Sequence, residues 1–198
     1  MTKVVLVSAL AAASAGCAMF GGTPKSTFKP LDVSAYYPLA VGNSWTYSAN
    51  MLGDKVEKTV SIVKEDFGYF VDDNKGRLKV DAYGLRDDKR YLLRVPLEVG
   101  TKWTTIVSVQ SKERSQILET DEPCTVPAGA FEHCLTVEHR NRQDETHDLV
   151  MRMTFAPHVG IARIQVAMDA GGQLTPQSEM QLVAYRVAPP PPPAGARP

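Results

Sequence analysis

This 198-residue chain has little of what chemistry or membrane spanning requires: three cysteines, four histidines, two tryptophans and no apolar run long enough to cross a bilayer as a helix. It has no G-x-S-x-G, no H-E-x-x-H and no phosphate-cradling glycine loop, so the sequence offers no catalytic nucleophile, zinc or nucleotide motif. It lacks an excess of either charge: 22 Lys and Arg balance 22 Asp and Glu, without a basic patch or acidic run. That argues against nucleic acid and polyanionic partners. A convincing helical period is also missing. No residue set calls for a cofactor, and the chain reads as a non-enzyme.

The N-terminus, MTKVVLVSALAAASAGCAMFGG, has a cationic Lys3 and an apolar run from Val4 to Ala13 of secretory length. Small residues then lead to Cys17. Ser14-Ala15-Gly16-Cys17 resembles a bacterial lipobox, although Ser14 stands where that pattern usually has Leu. The resemblance implies a signal peptide over residues 1–16 and a diacylated, palmitate-type anchor on Cys17, with the membrane as first partner. Two acyl chains suffice for stable anchoring. Cleavage after Ala13-Ser14-Ala15 is the rival, and it would leave Cys17 a free thiol. Ala18 rather than Asp follows Cys17, which in the enterobacterial sorting scheme implies the cell outer membrane, on its periplasmic face or at the cell surface.

Residues 17–35 carry turn formers without period and read as anchor and flexible tether. Residues 188–198 include five consecutive prolines and read as a disordered tail outside the fold. Between them, residues 36–187 alternate with period two. Trp45, Tyr47, Ala49 and Met51 share one face, as do Leu78, Val80 and Ala82, then Trp103, Thr105, Val107 and Val109. Leu149, Met151, Met153 and Phe155 follow, then Ala162, Ile164, Val166 and Met168, and Val183, Tyr185 and Val187. Polar residues occupy most of the opposite positions, the pattern of an antiparallel sheet with one wet face. The expected fold is all-β: a single antiparallel meander of about ten strands curled into a barrel or half-barrel.

An internal echo marks the corners. PLAVGNSWT (38–46) and PLEVGTKWT (96–104) share Pro-Leu-x-Val-Gly-x-x-Trp-Thr and contain both tryptophans; APHVGIARI (156–164) is a weaker third copy. Proline fixes φ before the turn, glycine takes a positive φ, and tryptophan opens the next strand inward. YYPLAVGNSWTY, VPAGAFEHC, FAPHVGIARI and QLVAYRV together resemble the TapB-like family of bacterial envelope lipoproteins over about residues 36–187. That resemblance implies a β-barrel domain with a link to surface adherence structures. It transfers no catalytic residue.

Cys124 and Cys134 flank PAGAFEH. Nine intervening residues fit neither zinc spacing nor a redox C-x-x-C. A hairpin whose three-residue loop is Ala128-Gly129-Ala130 would pair Pro127 with Phe131 and put Cys124 opposite Cys134, within disulfide reach. The carboxylates Glu132, Glu138, Asp144, Glu145 and Asp148 cluster around a polar loop and read as solvated. His133, His139, His147 and His158 match no ligand spacing, so no metal is expected.

Inward-facing Met151, Met153 and Met168, with Trp45 and Trp103, form a candidate apolar ligand lining, since methionine packs adaptably against varied partners. Ordinary core filling explains the same residues. Two functions follow: a lipid-anchored interaction or assembly module for an envelope protein partner, or a carrier holding a lipid or other apolar ligand in a half-barrel. A continuous cavity of several hundred Å³ selects the second.

Overall fold

The computed structural model describes residues 31–51, 54–109 and 111–188. The expectations for the signal peptide, Cys17 and the proline tail lie outside these residues. One helical turn, α1 (Val33–Tyr36), precedes twelve strands. Six form the first half: β1 (Ser44–Met51), β2 (Asp54–Asp66), β3 (Tyr69–Asp72), β4 (Arg77–Asp81), β5 (Gly84–Arg86) and β6 (Tyr91–Arg94). Six form the second: β7 (Lys102–Ser108), β8 (Ser111–Val126), β9 (Gly129–Arg142), β10 (His147–Ala156), β11 (Gly160–Ala170) and β12 (Gln173–Arg186). All pairings are antiparallel, in the order β6-β5-β4-β3-β2-β1-β12-β11-β10-β9-β8-β7. The all-β meander is thus a nearly closed barrel of twelve strands rather than about ten.

The circle joins where sequence neighbours would not suggest it. β1 pairs with β12, Ser44 opposite Arg186 and Trp45 opposite Tyr185. Ala188 N–H donates to Asn43 Oδ1 (2.9 Å), tying the last described residue to the first corner. β6 and β7, successive in sequence, lie at the two edges of the sheet and leave a seam.

The echoed turns have the same hydrogen bonds. Gly42 (φ 93°) donates to the Ile62 carbonyl and Gly100 (φ 91°) to the Ile117 carbonyl, both at 2.9 Å. Ile62 N–H returns to Asn43 O and Ile117 N–H to Thr101 O. In each copy the positive φ needs glycine, and the corner clamps the partner strand on both sides. Trp45 and Trp103 then turn inward, 1% and 5% exposed. At the third copy, a Cβ on Gly160 (φ 121°) would sit 3.0 Å from Trp45 Nε1 and 3.4 Å from the Tyr37 ring, so glycine admits the tryptophan.

The core is the inward face of both halves: Trp45, Leu85, Leu93, Ile117, Leu135, Phe155 and Leu182 are essentially inaccessible. Burying each large side chain contributes about 1.5–3 kcal/mol. α1 closes the corner end of the barrel, with Val33 and Tyr36 buried and Ala35 O accepting from His158 N–H. The folded unit therefore begins before residue 36: Val33, in the stretch expected as tether, is buried at the barrel end together with Tyr36.

Local burial differs from strict alternation in three places. A bulge at β12 pairs Thr46 with Ala184 and then Tyr47 with Leu182, skipping Val183. The inward role passes to Leu182, and Tyr185 is 42% exposed. Val107 and Val109 are exposed because β7 runs beyond the seam strand β6. On the outer face Glu138 is buried and Asp148 half-buried, both paired with arginines rather than freely solvated. Glu138 accepts from Arg140 Nε (2.5 Å) and Arg152 Nε (2.9 Å), and Asp148 lies against Arg114 and Arg142 (2.8 and 2.6 Å).

Candidate functional site

The two cysteines form a disulfide with a Cα separation of 6.0 Å. The hairpin register differs from the sequence expectation. The turn is Pro127-Ala128, Val126 pairs with Gly129, Cys124 with Phe131 and Cys134 with Glu122. Repeated bulges in β8 offset the cysteines diagonally while leaving them within bridging distance. Asp121 and His133, both at positive φ, hydrogen-bond through their side chains beside this offset.

The polar interior begins at the seam. In the β5–β6 loop, Asp87 Oδ1 accepts the amides of Lys89 and Arg90, both at 2.7 Å, which folds the loop so that Arg90 reaches across the edge. Its guanidinium pairs with the Glu113 carboxylate on β8. Antiparallel pairing sets Ser115 opposite His139, and Ser115 Oγ lies 2.9 Å from His139 Nδ1. Glu113 Oε1 approaches the same nitrogen at 3.4 Å. The Trp103 ring meets His139 edge-on at 6.1 Å, while its Nε1–H donates to Tyr91 O on β6 at 3.1 Å. Side chains thus bridge the seam where the backbones do not pair.

This cluster contains serine, histidine and a carboxylate, but it is not a hydrolytic triad. A triad needs the acid on one ring nitrogen and the nucleophile on the other. Here both converge on Nδ1, while buried Nε2 has no hydrogen-bond partner among the described residues. Burial pushes the Glu113 carboxyl up, and the facing His139 ring and Arg90 charge outweigh it, holding the group below the usual carboxylate range. No three His, Cys, Asp or Glu side chains come together as a metal site among the described residues.

Towards the mouth, the end bearing the β5–β6, β7–β8 and β9–β10 turns, the cluster becomes the floor of a cavity of about 440 Å³. Val107, Leu149, Met151 and Val166 give its apolar wall; Lys89, Asn141 and Gln143 also line it. Of the five residues expected as a ligand lining, Met151 alone is in this wall. Trp45, Trp103 and Met153 are buried in the core, and Met168 is half-buried opposite Leu149. A second hollow, about 450 Å³, lies on the outer face between Asn50, Val150, Arg152, Leu174 and Pro176. The inner cavity is the stronger candidate because the Arg90–Glu113 pair and an apolar wall converge there.

No protein-family model and no curated protein matches the chain. Two crystal structures resemble it. One is an inferred lipoprotein from Parabacteroides distasonis, 11% identical over 76% of this chain and 98% of that one, with a TM-score of 0.41. The other is an inferred exported protein with a YmcC-like fold from Bacteroides fragilis, 13% identical over 75% and 97%, with a TM-score of 0.40. At these scores the likeness carries no argument for a function.

Proposed function

We propose that this is a bacterial envelope protein, anchored through Cys17, that binds a small amphipathic molecule in the mouth-end cavity without transforming it. The observation that carries the reading is the cavity itself, with an apolar wall above a floor of half-buried Arg90 and buried Glu113 and His139. Support for the address comes from the lipobox-like Ser14–Cys17 and from the Cys124–Cys134 bridge, which suits an oxidising compartment. Native mass spectrometry and lipid extraction of the full chain carrying Cys17→Ala test it. The expected result is a co-purifying apolar species that Met151→Trp, filling the cavity, displaces. Its absence from the protein as purified and after incubation with total lipid extract would sink the carrier reading.

The interaction-module reading is supported by the outer hollow, where Leu174 is 37% exposed. Crosslinking in membranes should then capture a partner that Leu174→Asp releases.

A further inference from the structure

The β7–β8 hairpin extends past the seam, and its side chains there are of an unusual kind for an exposed turn. Ile106 is 73% exposed, Val109 fully exposed and Val107 44% exposed, while Val107 also lines the cavity. Between Ile106 and Glu113 the charged residue is Lys112, which is exposed and pairs with Ile106. We propose that this hairpin end is a bilayer contact, dipping Ile106 and Val109 into the interface of an anionic leaflet and setting the cavity mouth against the lipid.

Three observations favour a bilayer as the occupant. The surface projects, and a projection of branched aliphatic side chains enters a lipid interface without needing a complementary pocket. Its charge is cationic, through Lys112, and a lysine near an anionic leaflet adds about 1 kcal/mol. The neighbouring β5–β6 loop pairs its own acids: Asp87 lies 3.7 Å from Arg90 and Asp88 3.9 Å from Arg77. In the β9–β10 turn, Asp144 and Glu145 are exposed acids without a lysine or arginine salt-bridge partner among the described residues.

The placement rests on the envelope reading, and the reach is sufficient. α1 sits at the opposite, corner end, where His158 N–H meets Ala35 O. The stretch from Cys17 to Leu31 spans up to about 45–50 Å when extended. Seven residues of β7 cover about 24 Å. A lipid on Cys17 therefore leaves enough chain for the mouth to lie on the same membrane.

The test uses the full chain with Cys17→Ala, free of lipid, and vesicles of phosphatidylethanolamine and phosphatidylglycerol. Wild-type protein should sediment with them, and I106D/V109D should lower that partition at least tenfold with an unchanged Tm. Val109→Trp should show blue-shifted emission on the same vesicles, which keeps the test decisive if the double variant folds poorly. Equal partition of wild type and I106D/V109D, or no partition of either, overturns the proposal. So does a concentration-dependent dimer abolished by the double variant, which would assign the patch to a second copy. Vesicle binding retained in Met151→Trp separates this contact from the cavity reading.

Discussion

Trp45 and Trp103 leave turns with the same hydrogen bonds and enter different surroundings. Trp45 stacks on Tyr37, with ring centroids 5.1 Å apart, and donates to Val159 O at 2.6 Å, so the first corner grips the third inside an apolar core. Trp103 faces Ser115 and His139 and donates across the seam to Tyr91 O. A repeated motif therefore fixes how the chain turns, while the strands it meets decide what the anchor does. The first copy seals a region already held by β1–β12 pairing. The second takes the place of pairing that β6 and β7 do not make.

The sharpest way to break this comparison is to delete each ring. Trp45→Ala should cost about 3–5 kcal/mol, the range for a large buried aromatic, and Trp103→Ala should fall at the bottom of that range. Urea unfolding of both variants measures it; equal costs would mean that the polar surroundings of Trp103 make no difference. Next is the clasp, which occurs only in the second half. Cys124→Ala should remove about 3 kcal/mol, from the closed loop, and free one thiol. Amide exchange should accelerate around the β8–β9 turn and leave the first half unchanged.

The ionic bridge across the seam comes third. Glu113→Gln should cost about 1.5–3 kcal/mol at neutral pH, the range for a hydrogen bond to a charged group. The Glu113 carboxyl titrates lower in the folded chain than when unfolded. Its stabilisation is therefore complete above the unfolded carboxylate range and is lost as pH falls through the folded value. A plot of Tm against pH should be flatter on its acid side in Glu113→Gln, and identical acid limbs would refute the bridge. The smallest effect belongs to Trp103→Phe, which keeps most of the ring and loses the bond to Tyr91 O, at about 1 kcal/mol. Exchange at β6 and β7 should rise while β1 and β12 stay protected.

How much of this was legible follows from how local each cause is. Alternation showed the sheet and most of its inward face, and the Pro-Leu-x-Val-Gly echo showed both corners, because each depends on a few adjacent residues. The Cys124–Cys134 proximity was readable from hairpin reach, whereas its register was not, since bulges at Glu119–Cys124 follow no residue pattern. Val183 misled for the same reason: one skipped residue on β12 reverses the faces beyond it. The Glu113, Ser115 and His139 cluster was hidden because it forms across strands whose register the sequence does not specify. His139 matches no metal-ligand spacing, and Arg90 carries no local signal, since its partner lies across an unpaired edge. Val107 and Val109 alternate as buried residues do, but no neighbouring strand extends far enough to cover them.

The pairing of β1 with β12 also sets how the chain must find its fold. Ten of the eleven strand contacts join sequence neighbours through turns, and each can close early at little entropic cost. The eleventh brings opposite ends of the chain together and has to wait for both six-strand halves. Docking of β1 on β12 is therefore the expected rate-limiting event. A circular permutant that links residue 188 to residue 31 and opens the chain between β6 and β7 would make every pairing local. It should fold faster while keeping the same set of neighbours, and its new ends would fall at the one place where the ring of strands is already interrupted.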